Sequence, residues 1–387
     1  MFLELARPLS PSAPASFALA GGEVIIGPAH ALGVNTSDLA LFYSLHWARP
    51  ICLGREDFAA WQMCGAPESQ GLNASVFAVR GGQLLAAMGV TPATFNLDGT
   101  ALAGAELTTW IVLPGARGLG IGQRMLAHLQ TQYDILAGAG ISAAALPLYL
   151  GVGFAFLAQV PRFFHIADFQ KVRAFVDAPD AAFRLTTKRQ QAGPFRQWQA
   201  TPCSSAALAP QAAIGAMSQA FFRRDALGLA WRYDQHPTFR YEAFSLRSRD
   251  TAGHGMGVVL REDMAVNTPI LHLVDLFGDA RDAAAALSFV EAKAVRRGAA
   301  FVDFSATAGA LTALVRARGW SSAVDDLLVE LPSLFHLVEM RRPTTTSLVL
   351  WSREGRARLF DFGRLHLTKG DLDLDRPTIS FLEGRNL

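Results

Sequence analysis

The chain has 387 residues, of which 51% are hydrophobic, and its formal net charge is +2 at pH 7. This length exceeds what one ordinary hydrophobic core supports, so two domains are expected. The near-neutral charge, without a block rich in lysine or arginine, argues against nucleic acid as a main partner.

The cysteines and the apolar runs of the sequence indicate the cellular compartment of the protein. Cys52, Cys64 and Cys203 have neither the spacing of metal ligands nor the density of a secreted disulfide scaffold. The first eight residues lack the basic start and long apolar core of a signal peptide. Apolar runs such as residues 143–156 contain proline and glycine, and none reaches the roughly 18 residues of a membrane span. We therefore expect a cytoplasmic protein with no membrane partner.

The first half begins with alternating helix and strand patterns. Helical spacing runs from residue 37 to His46 and Trp47, and a second short helix is predicted over residues 58–63. Residues 75–80 and 84–90 predict a hairpin that turns at two glycines. A third strand over residues 107–112 leads into a glycine-rich loop.

That loop, residues 114–122, is followed by a predicted helix over residues 123–132. Closely spaced glycines between a strand and a helix direct backbone N–H groups into one concavity at the positive end of the helix dipole, where a diphosphate can bind. A nucleotide-hydrolysing loop would need Gly-Lys-Ser/Thr at the helix start, and a dinucleotide-binding loop a different glycine spacing. The pattern present is Arg117-x-x-Gly120-x-Gly122.

A second motif follows at the expected distance. Residues 134–141 predict a strand of small side chains, and Leu148-Tyr149 then precedes Gly153-Phe154. Together the two motifs resemble the GCN5-related N-acetyltransferases, the GNAT superfamily. The resemblance implies an α+β fold, acyl-coenzyme A as the cofactor, and a tyrosine that faces the sulfur of that cofactor.

The second half resembles a degenerate copy of the first. Trp61-Gln62 precedes Pro67 as Trp231-Arg232 precedes Pro237, and Gly153-Phe154 has a counterpart in Gly319-Trp320. Two carboxylates replace the glycines of the loop at residues 278–282, and Val315 stands at the tyrosine position. We therefore predict tandem GNAT-like domains, each a mixed, mostly antiparallel sheet flanked by helices. The second copy would lack cofactor and serve as a wall of the acceptor site or as scaffold.

Low-complexity sequence connects the two halves. Residues 176–213 contain Ala, Pro and Ser pieces with one predicted strand over residues 182–187, which places the boundary between domains 1–185 and 186–387. Near the end of the chain, Asp371, Asp373 and Asp375 alternate as on one face of an edge strand. They predict either a metal or amine site or a solvated acidic strand end.

At a finer level the chain resembles tandem-GNAT acyltransferases of bacterial surface-polysaccharide synthesis, which acylate nucleotide-linked amino deoxysugars such as a dTDP-linked sugar. The segments that carry this likeness include residues 46–47, 61–62, 106–112, 161–163, 231–237 and 370–377. A GNAT enzyme acting on a peptide, a cell-wall precursor or another small amine is an alternative. A non-catalytic acyl-CoA-binding protein is another.

The resemblance also implies roles for individual residues. Tyr149 is the predicted acid for the departing thiolate and His46 the first choice as base, although either can be structural. His272 and Asp275 are the next candidates for the base. With the strand period of two, Trp110 is expected to share a face with Thr108 and Val112. Its role can be either core packing or contact with the acceptor. The predicted cofactor-binding residues are Ile111, Val112, Leu113, Arg117, Gly118, Leu119, Gly120, Ile121 and Gly122, and the predicted substrate-binding residues are Trp47, Trp110, His272 and Asp275.

Overall fold

A computed structural model describes most of the chain. The described residues are 13–19, 21–174, 176–189, 198–212, 220–248, 255–265, 267–325, 329–331, 344–354, 359, 361–372 and 375–377. Within these ranges no helix is long and apolar enough to cross a membrane.

The chain divides into two compact units. Unit 1 comprises residues 1–157 and 347–360, and unit 2 comprises residues 158–346 and 361–387. The division falls earlier than the boundary predicted after residue 185, and each unit takes a segment from both sides of it.

Unit 1 is built on one sheet. Its strands lie in the order β1-β2-β3-β4-β5-β6-β16-β7, and all neighbours are antiparallel except β5 and β6. The predicted hairpin forms β3 and β4, but β4 extends well beyond residue 90. The strands are β1 Ala15–Leu19, β2 Gly22–Pro28, β3 Val76–Arg80, β4 Gln83–Leu97, β5 Thr100–Val112, β6 Ile135–Ala139, β7 Ala155–Leu157 and β16 Leu348–Ser352.

The helices of unit 1 agree with the sequence pattern to within a few residues. Asn35 caps the first helix in a reciprocal capping box with Asp38, which explains its sharp start. Met125, Leu126 and Leu129 of the third helix pack on the sheet in one hydrophobic core. The helices are α1 Thr36–His46, α2 Glu56–Cys64, α3 Ile121–Gln132 and α4 Leu146–Gly151.

Unit 2 repeats the architecture of unit 1. Its sheet has the order β15-β8-β14-β13-β12-β11-β9, in which β13 and β14 are the parallel pair. Two short strands, β10 and β17, pair with each other in parallel. The strands are β8 Arg162–Ile166, β9 Trp198–Cys203, β10 Ala220–Phe222, β11 Glu242–Ser248, β12 Met256–Ala265, β13 Thr268–Gly278, β14 Phe301–Ser305, β15 Ser321–Ser322 and β17 Leu365–His366.

The main helix of unit 2, α9, packs on the sheet as α3 does in unit 1, through residues such as Leu287, Val290 and Ala294. The helix α8 continues directly into a π-helical turn, Ala230–Asp234. The helices are α5 Phe169–Val172, α6 Asp180–Arg189, α7 Ala209–Ala212, α8 Ala226–Leu229, α9 Ala283–Arg297 and α10 Gly309–Ala317.

The units exchange their penultimate sheet strands. In unit 1 the position between β6 and β7 is filled by β16, which follows most of unit 2 in the sequence. In unit 2 the corresponding position, between β14 and β15, is filled by β8, which comes directly after unit 1. Each sheet is therefore completed by a strand that borders the other unit in the sequence.

The strand predicted over residues 182–187 is wrong, because this segment belongs to helix α6. Ala182, Phe183 and Thr186 are buried at helical spacing, while Arg184 and Leu185 are exposed. The Phe183 ring packs edge-on against Phe169. Tertiary packing at a period of 3.6 residues thus decides the conformation here.

Candidate functional site

The parallel strands of unit 1 separate in the middle of β5. Pairing of β5 with β6 runs from Gly104 to Leu107, whereas β5 itself continues to Val112. We call the space between β5 beyond Leu107 and β6 beyond Gly138 the first strand gap. The two strands are therefore splayed apart at this end of the sheet.

The backbone N–H and C=O groups of β5 point alternately toward β4 and into the first strand gap. The Leu113 N–H donates to the Leu85 carbonyl of β4 at 2.9 Å, so it points away from the gap. Because strand groups alternate, the N–H of Ile111 also points toward β4, whereas the groups of Val112 point into the gap. The Val112 carbonyl confirms this direction, since it accepts from Arg117 Nε at 3.0 Å.

A β-bulge at Thr109 changes which side chains share a face. Thr109 has a φ of +44°, and the register passes from Met88–Trp110 to Gly89–Thr108 without it. Trp110 consequently packs on Gly122 of α3, where an added Cβ would lie 2.6 Å from the indole, whereas Thr108 meets β4 at Gly89. The prediction that Trp110 shares a face with Thr108 is therefore wrong.

The loop after β5 ends in a helix whose N-terminus has no side-chain cap. Gly118 and Gly120 have φ values of +76° and +73°, which glycine adopts without strain. Helix α3 begins at Ile121, two residues before the predicted start, and its first turn contains no acidic residue. The N–H groups of this turn, including those of Ile121 and Gly122, therefore lack a side-chain acceptor, as an anion site requires.

Two arginines border this helix N-terminus. Arg117 is exposed and braces the loop through its bond to Val112. Arg124 is also exposed, its guanidinium lies against Gly120, and it stacks 4.4 Å above the Phe17 ring. The sequence interpretation missed Arg124, although its position four residues after the N-cap glycine places it one helical turn away.

Tyr149 lies on α4, close to the strand that lines the gap. Its ring is 5.5 Å from that of Trp110 and 4.9 Å from that of Phe154, in edge-to-face geometry. The residue is 4% exposed, and burial raises the pKa of its hydroxyl above the usual value. The hydroxyl makes no hydrogen bond to any residue that the structure describes, so the phenol is a protonated donor without an internal acceptor.

Glu106 is a candidate that the sequence interpretation quoted only as part of a likeness. Its neighbours Ala105 and Leu107 pack in the α3 core, so Glu106 points to the opposite face of the sheet. It lies across from Thr91 of β4, and it is 8% exposed. A lone carboxylate in an otherwise uncharged strand, next to the point where the sheet opens, was the available signal.

The α1 residues lie at the end of that helix. His46 is exposed, with its ring 4.8 Å from that of Phe42. Trp47 is half-buried and donates its N–H to the Tyr43 carbonyl, which ends the helix. Both residues therefore lie at the C-terminal end of α1.

His272 and Asp275, predicted as acceptor contacts, lie inside unit 2. Each is 1% exposed. His272 Nδ1 contacts Asp303, and Lys369 Nζ approaches the same nitrogen at 3.0 Å. Asp275 accepts from Arg224 Nε at 2.8 Å and from the Tyr233 hydroxyl at 2.9 Å. They serve an internal network, because buried charges need such partners.

The acidic residues of the tail also have internal partners. Asp371 pairs with Arg224, and Asp375 accepts from Arg261 at 2.9 and 3.1 Å and from the Tyr241 hydroxyl at 2.8 Å. Asp373 lies outside the described residues. The solvated strand end is wrong for Asp371 and Asp375, which are buried ion-pair partners of arginine. The described residues contain no cluster of three or more potential metal ligands, and a site that includes Asp373 stays a prediction.

The chain was compared with known proteins. No protein-family model and no curated protein matches it. Its fold is similar to that of an Enterococcus faecalis protein described as a probable N-acyltransferase, with a TM-score of 0.54 and 12% identity over 86% of this chain and 72% of that one. The fold consists of two units, each a mixed, mostly antiparallel sheet flanked by helices. The predicted α+β class and the two-copy arrangement are thereby confirmed.

Two further solved structures are more distant. GCN5-related N-acetyltransferases from Kribbella flavida and Anabaena variabilis each align with a TM-score of 0.48, at 16% and 11% identity. The alignments cover 84% and 81% of this chain and 70% and 69% of those chains. At such identities the likeness concerns the fold and leaves the reaction to the residues of the site.

Proposed function

We propose that unit 1 is an acyl-CoA-dependent N-acyltransferase. The observation that carries this proposal is the uncapped N-terminus of α3, set between two left-handed glycines and the separated end of β5. The diphosphate of coenzyme A suits the first-turn N–H groups, with Arg117 and Arg124 beside them. The amide-containing pantetheine arm suits the first strand gap, where β5 no longer pairs with β6.

The chemistry requires three groups around the thioester. The acceptor amine attacks the thioester carbonyl, and the resulting oxyanion accepts a hydrogen bond from the Val112 N–H. The C–S bond then breaks, and the thiolate takes the proton of the Tyr149 hydroxyl, whose raised pKa keeps it protonated at neutral pH. The ammonium proton of the acceptor passes to a base, which leaves the amide, the thiol, the Tyr149 phenolate and the protonated base. The proton of that base then returns to the phenolate through solvent, so the net products are the amide and the thiol.

We propose Glu106 as that base, with His46 as the alternative. Glu106 lies on the strand that binds the thioester, at the residue before its parallel pairing ends. His46 lies on an exposed helix end and needs a bridging water to reach a buried reaction centre. The Glu106→Gln and His46→Gln variants separate the two groups in steady-state assays.

For the acceptor we propose a nucleotide-linked amino deoxysugar, on the family resemblance of residues such as Trp47. The half-buried Trp47 ring suits the apolar face of a sugar or base. Trp110 remains a proposed contact, although its packing on α3 favours a role beside the cofactor. We do not retain His272 and Asp275 as contacts, because their polar atoms are already bonded inside unit 2.

Calorimetry with coenzyme A and acetyl-CoA, followed by thiol-release assays, tests this proposal. The acceptor panel contains a dTDP-amino sugar, a peptide with a free N-terminus, a cell-wall precursor amine and a polyamine, with product mass as the second readout. Acyl transfer to the sugar nucleotide alone supports the proposal. Transfer to another amine would change only the proposed acceptor. Tight CoA binding without turnover would indicate a sensor, and absence of CoA binding would contradict the proposed function.

A further inference from the structure

The parallel strands of unit 2 separate as those of unit 1 do. Pairing of β13 with β14 ends at Leu273 and Phe304, while β13 continues to Gly278 past a bulge at Val274. We call the space between these strand ends the second strand gap. What lies in it is a stretch of the chain itself, residues 365–371.

Backbone groups of this stretch bond to both walls of the gap. On the β14 side, the Thr307 N–H donates to the Leu367 carbonyl at 3.0 Å, and Thr368 forms a β-bridge with Ala306. On the β13 side, the Gly370 N–H donates to the Val274 carbonyl at 3.0 Å. A segment that bonds to both diverging strands fills the gap as an additional strand would.

Side chains of the stretch are buried with their partners. Thr368 Oγ1 donates to Asp275 at 2.9 Å, and Lys369 Nζ lies 3.4 Å from Asp303 as well as 3.0 Å from His272. Lys369 is 1% exposed. Since a buried ammonium without its carboxylate is strongly disfavoured, these contacts hold the stretch in place.

Arg232 donates hydrogen bonds to the Gly370 carbonyl of the stretch and to the carbonyl of Leu372, the next residue after it. Arg232 Nε donates to the Gly370 carbonyl at 3.0 Å, and Arg232 Nη2 donates to that of Leu372 at 3.1 Å. At Gly370 the fit is close, because an added Cβ would lie 1.9 Å from the Tyr233 hydroxyl oxygen. The second strand gap is thus shaped around this backbone.

The turn between β13 and α9 differs from the loop of unit 1. Asp279 accepts from the Arg281 N–H at 3.0 Å and pairs with the Arg281 guanidinium, so a carboxylate with its own partners occupies this turn. The loop of unit 1 has glycines at the corresponding place.

We propose that residues 365–371 are a built-in ligand of unit 2, which fill the second strand gap permanently, so that each chain binds a single coenzyme A. The peptide replaces the cofactor as the element that joins the two diverging strands. Unit 2 then keeps the fold of an acyl-CoA-binding domain without its ligand.

Hydrogen–deuterium exchange on the full chain tests the proposal directly. Backbone amides of residues 367–371 should exchange on the order of 1,000-fold more slowly than in an unstructured peptide. Coenzyme A should increase protection in residues 108–124 and leave residues 274–283 and 367–371 unchanged, with one site per chain by calorimetry. Unprotected amides at 367–371, a second site, or CoA-dependent protection at 274–283 would overturn it.

A glycine pair provides the matched variants. Gly370→Val forces the stretch away from Tyr233 and should speed exchange at residues 367–371 by about 10-fold or more, with an unchanged Kd for coenzyme A. Gly309→Ala, in the same unit, meets no atom closer than 3.5 Å and should change neither quantity. Equal exchange in Gly370→Val and wild type would contradict the proposal.

If Gly370→Val does not fold, Thr368→Val takes its place, because it removes the hydrogen bonds of the Thr368 hydroxyl to Asp275 and Asp371 and from the Gly370 N–H at nearly constant side-chain volume. It should raise exchange at residues 367–371 more than elsewhere in the chain. These exchange measurements need no bound cofactor, so a failure of the proposed acyl transfer leaves them interpretable.

Discussion

The two strand gaps of this molecule have the same frame and different contents. In each unit a parallel strand pair separates next to a bulge, at Thr109 in unit 1 and at Val274 in unit 2. In unit 1 a loop with two left-handed glycines joins the strand to α3, whereas in unit 2 the turn after the strand holds the Asp279–Arg281 pair and a peptide of the chain itself lies in the gap. The two units therefore share the separated strand pair and differ in the residues that line and fill the gap.

The helix that follows the gap shows the same contrast. Phe154 N–H donates to the Tyr149 carbonyl at 3.0 Å, and Trp320 N–H donates to the Val315 carbonyl at 3.3 Å, after glycines with φ of +90° and +80°. Tyr149 and Val315 are thus equivalent by geometry, as their sequence spacing predicted. Only unit 1 places an ionisable group there.

Tyr149→Phe should have the largest effect of the changes that separate the units. Loss of a general acid typically lowers kcat by about 100- to 10,000-fold, while the apolar ring contacts with Trp110 and Phe154 remain. We expect an unchanged Kd for coenzyme A. Val315→Ile, at the equivalent position of unit 2, serves as the control in steady-state assays. Wild-type turnover in Tyr149→Phe would remove this residue from the acid role.

Glu106→Gln should lower kcat by about 100-fold, because the amide cannot accept the proton of the attacking amine. His46→Gln is compared in parallel in steady-state assays and should retain the rate. The reverse result would assign the base to His46.

Acid should destabilise unit 2 through two buried histidines. Burial lowers the pKa of His236 and of His366 to about 3, from an ordinary value of 6.5. Below that ordinary value the unfolded chain binds protons that the folded chain does not, so stability falls as the pH falls. Each histidine should cost about 2 kcal/mol at about pH 5 relative to about pH 7.5.

One carboxylate acts in the opposite direction. Burial raises the pKa of Asp371 to about 6, so the folded state takes up this proton first and gains about 1 kcal/mol at about pH 5. Urea unfolding at the two pH values should therefore show a net loss of about 3 kcal/mol from these three groups. In His366→Leu the loss should shrink by about 2 kcal/mol, and an unaltered pH dependence would contradict the assignment.

Arg117→Ala should have the smallest effect, a weakening of coenzyme A binding by about 5- to 10-fold. Arg117 is exposed, and its present hydrogen bond is to the Val112 carbonyl, so the loop loses one brace and the diphosphate one nearby charge. Arg281→Ala changes the equivalent turn of unit 2 and should leave the Kd unchanged. A larger effect of Arg281→Ala would reverse the roles of the units.

The local parts of this fold were predictable from the sequence. Glycine spacing located the loop around Gly120, and the Leu148-Tyr149 motif located α4, because both depend on neighbours in the chain. The Trp110 face was not predictable, since a bulge at a threonine leaves no signal in the pattern of hydrophobic residues. The partners of His272 and Asp275 lie about a hundred residues away or less, in strands and turns whose contacts depend on the tertiary fold.

The pairing of strands that are distant in the sequence was likewise not predictable from the pattern of residues. Residues 348–352 have the composition of any buried strand, and nothing in them indicates that they pair with β6, more than 200 residues earlier. The segment 365–371 similarly shows a polar sequence that favours a surface location. Its burial depends on Arg232, Asp275 and Asp303, which are brought together only by folding.

The exchanged strands have a consequence for synthesis on the ribosome. Unit 1 is translated first, yet its strand β6 receives its outer neighbour only when residues 348–352 emerge. Throughout the translation of unit 2, the nascent chain therefore carries an unsaturated sheet edge, the kind of surface that chaperones shield from aggregation. Unit 1 is therefore translated first, but its sheet is completed only after most of unit 2 has been translated.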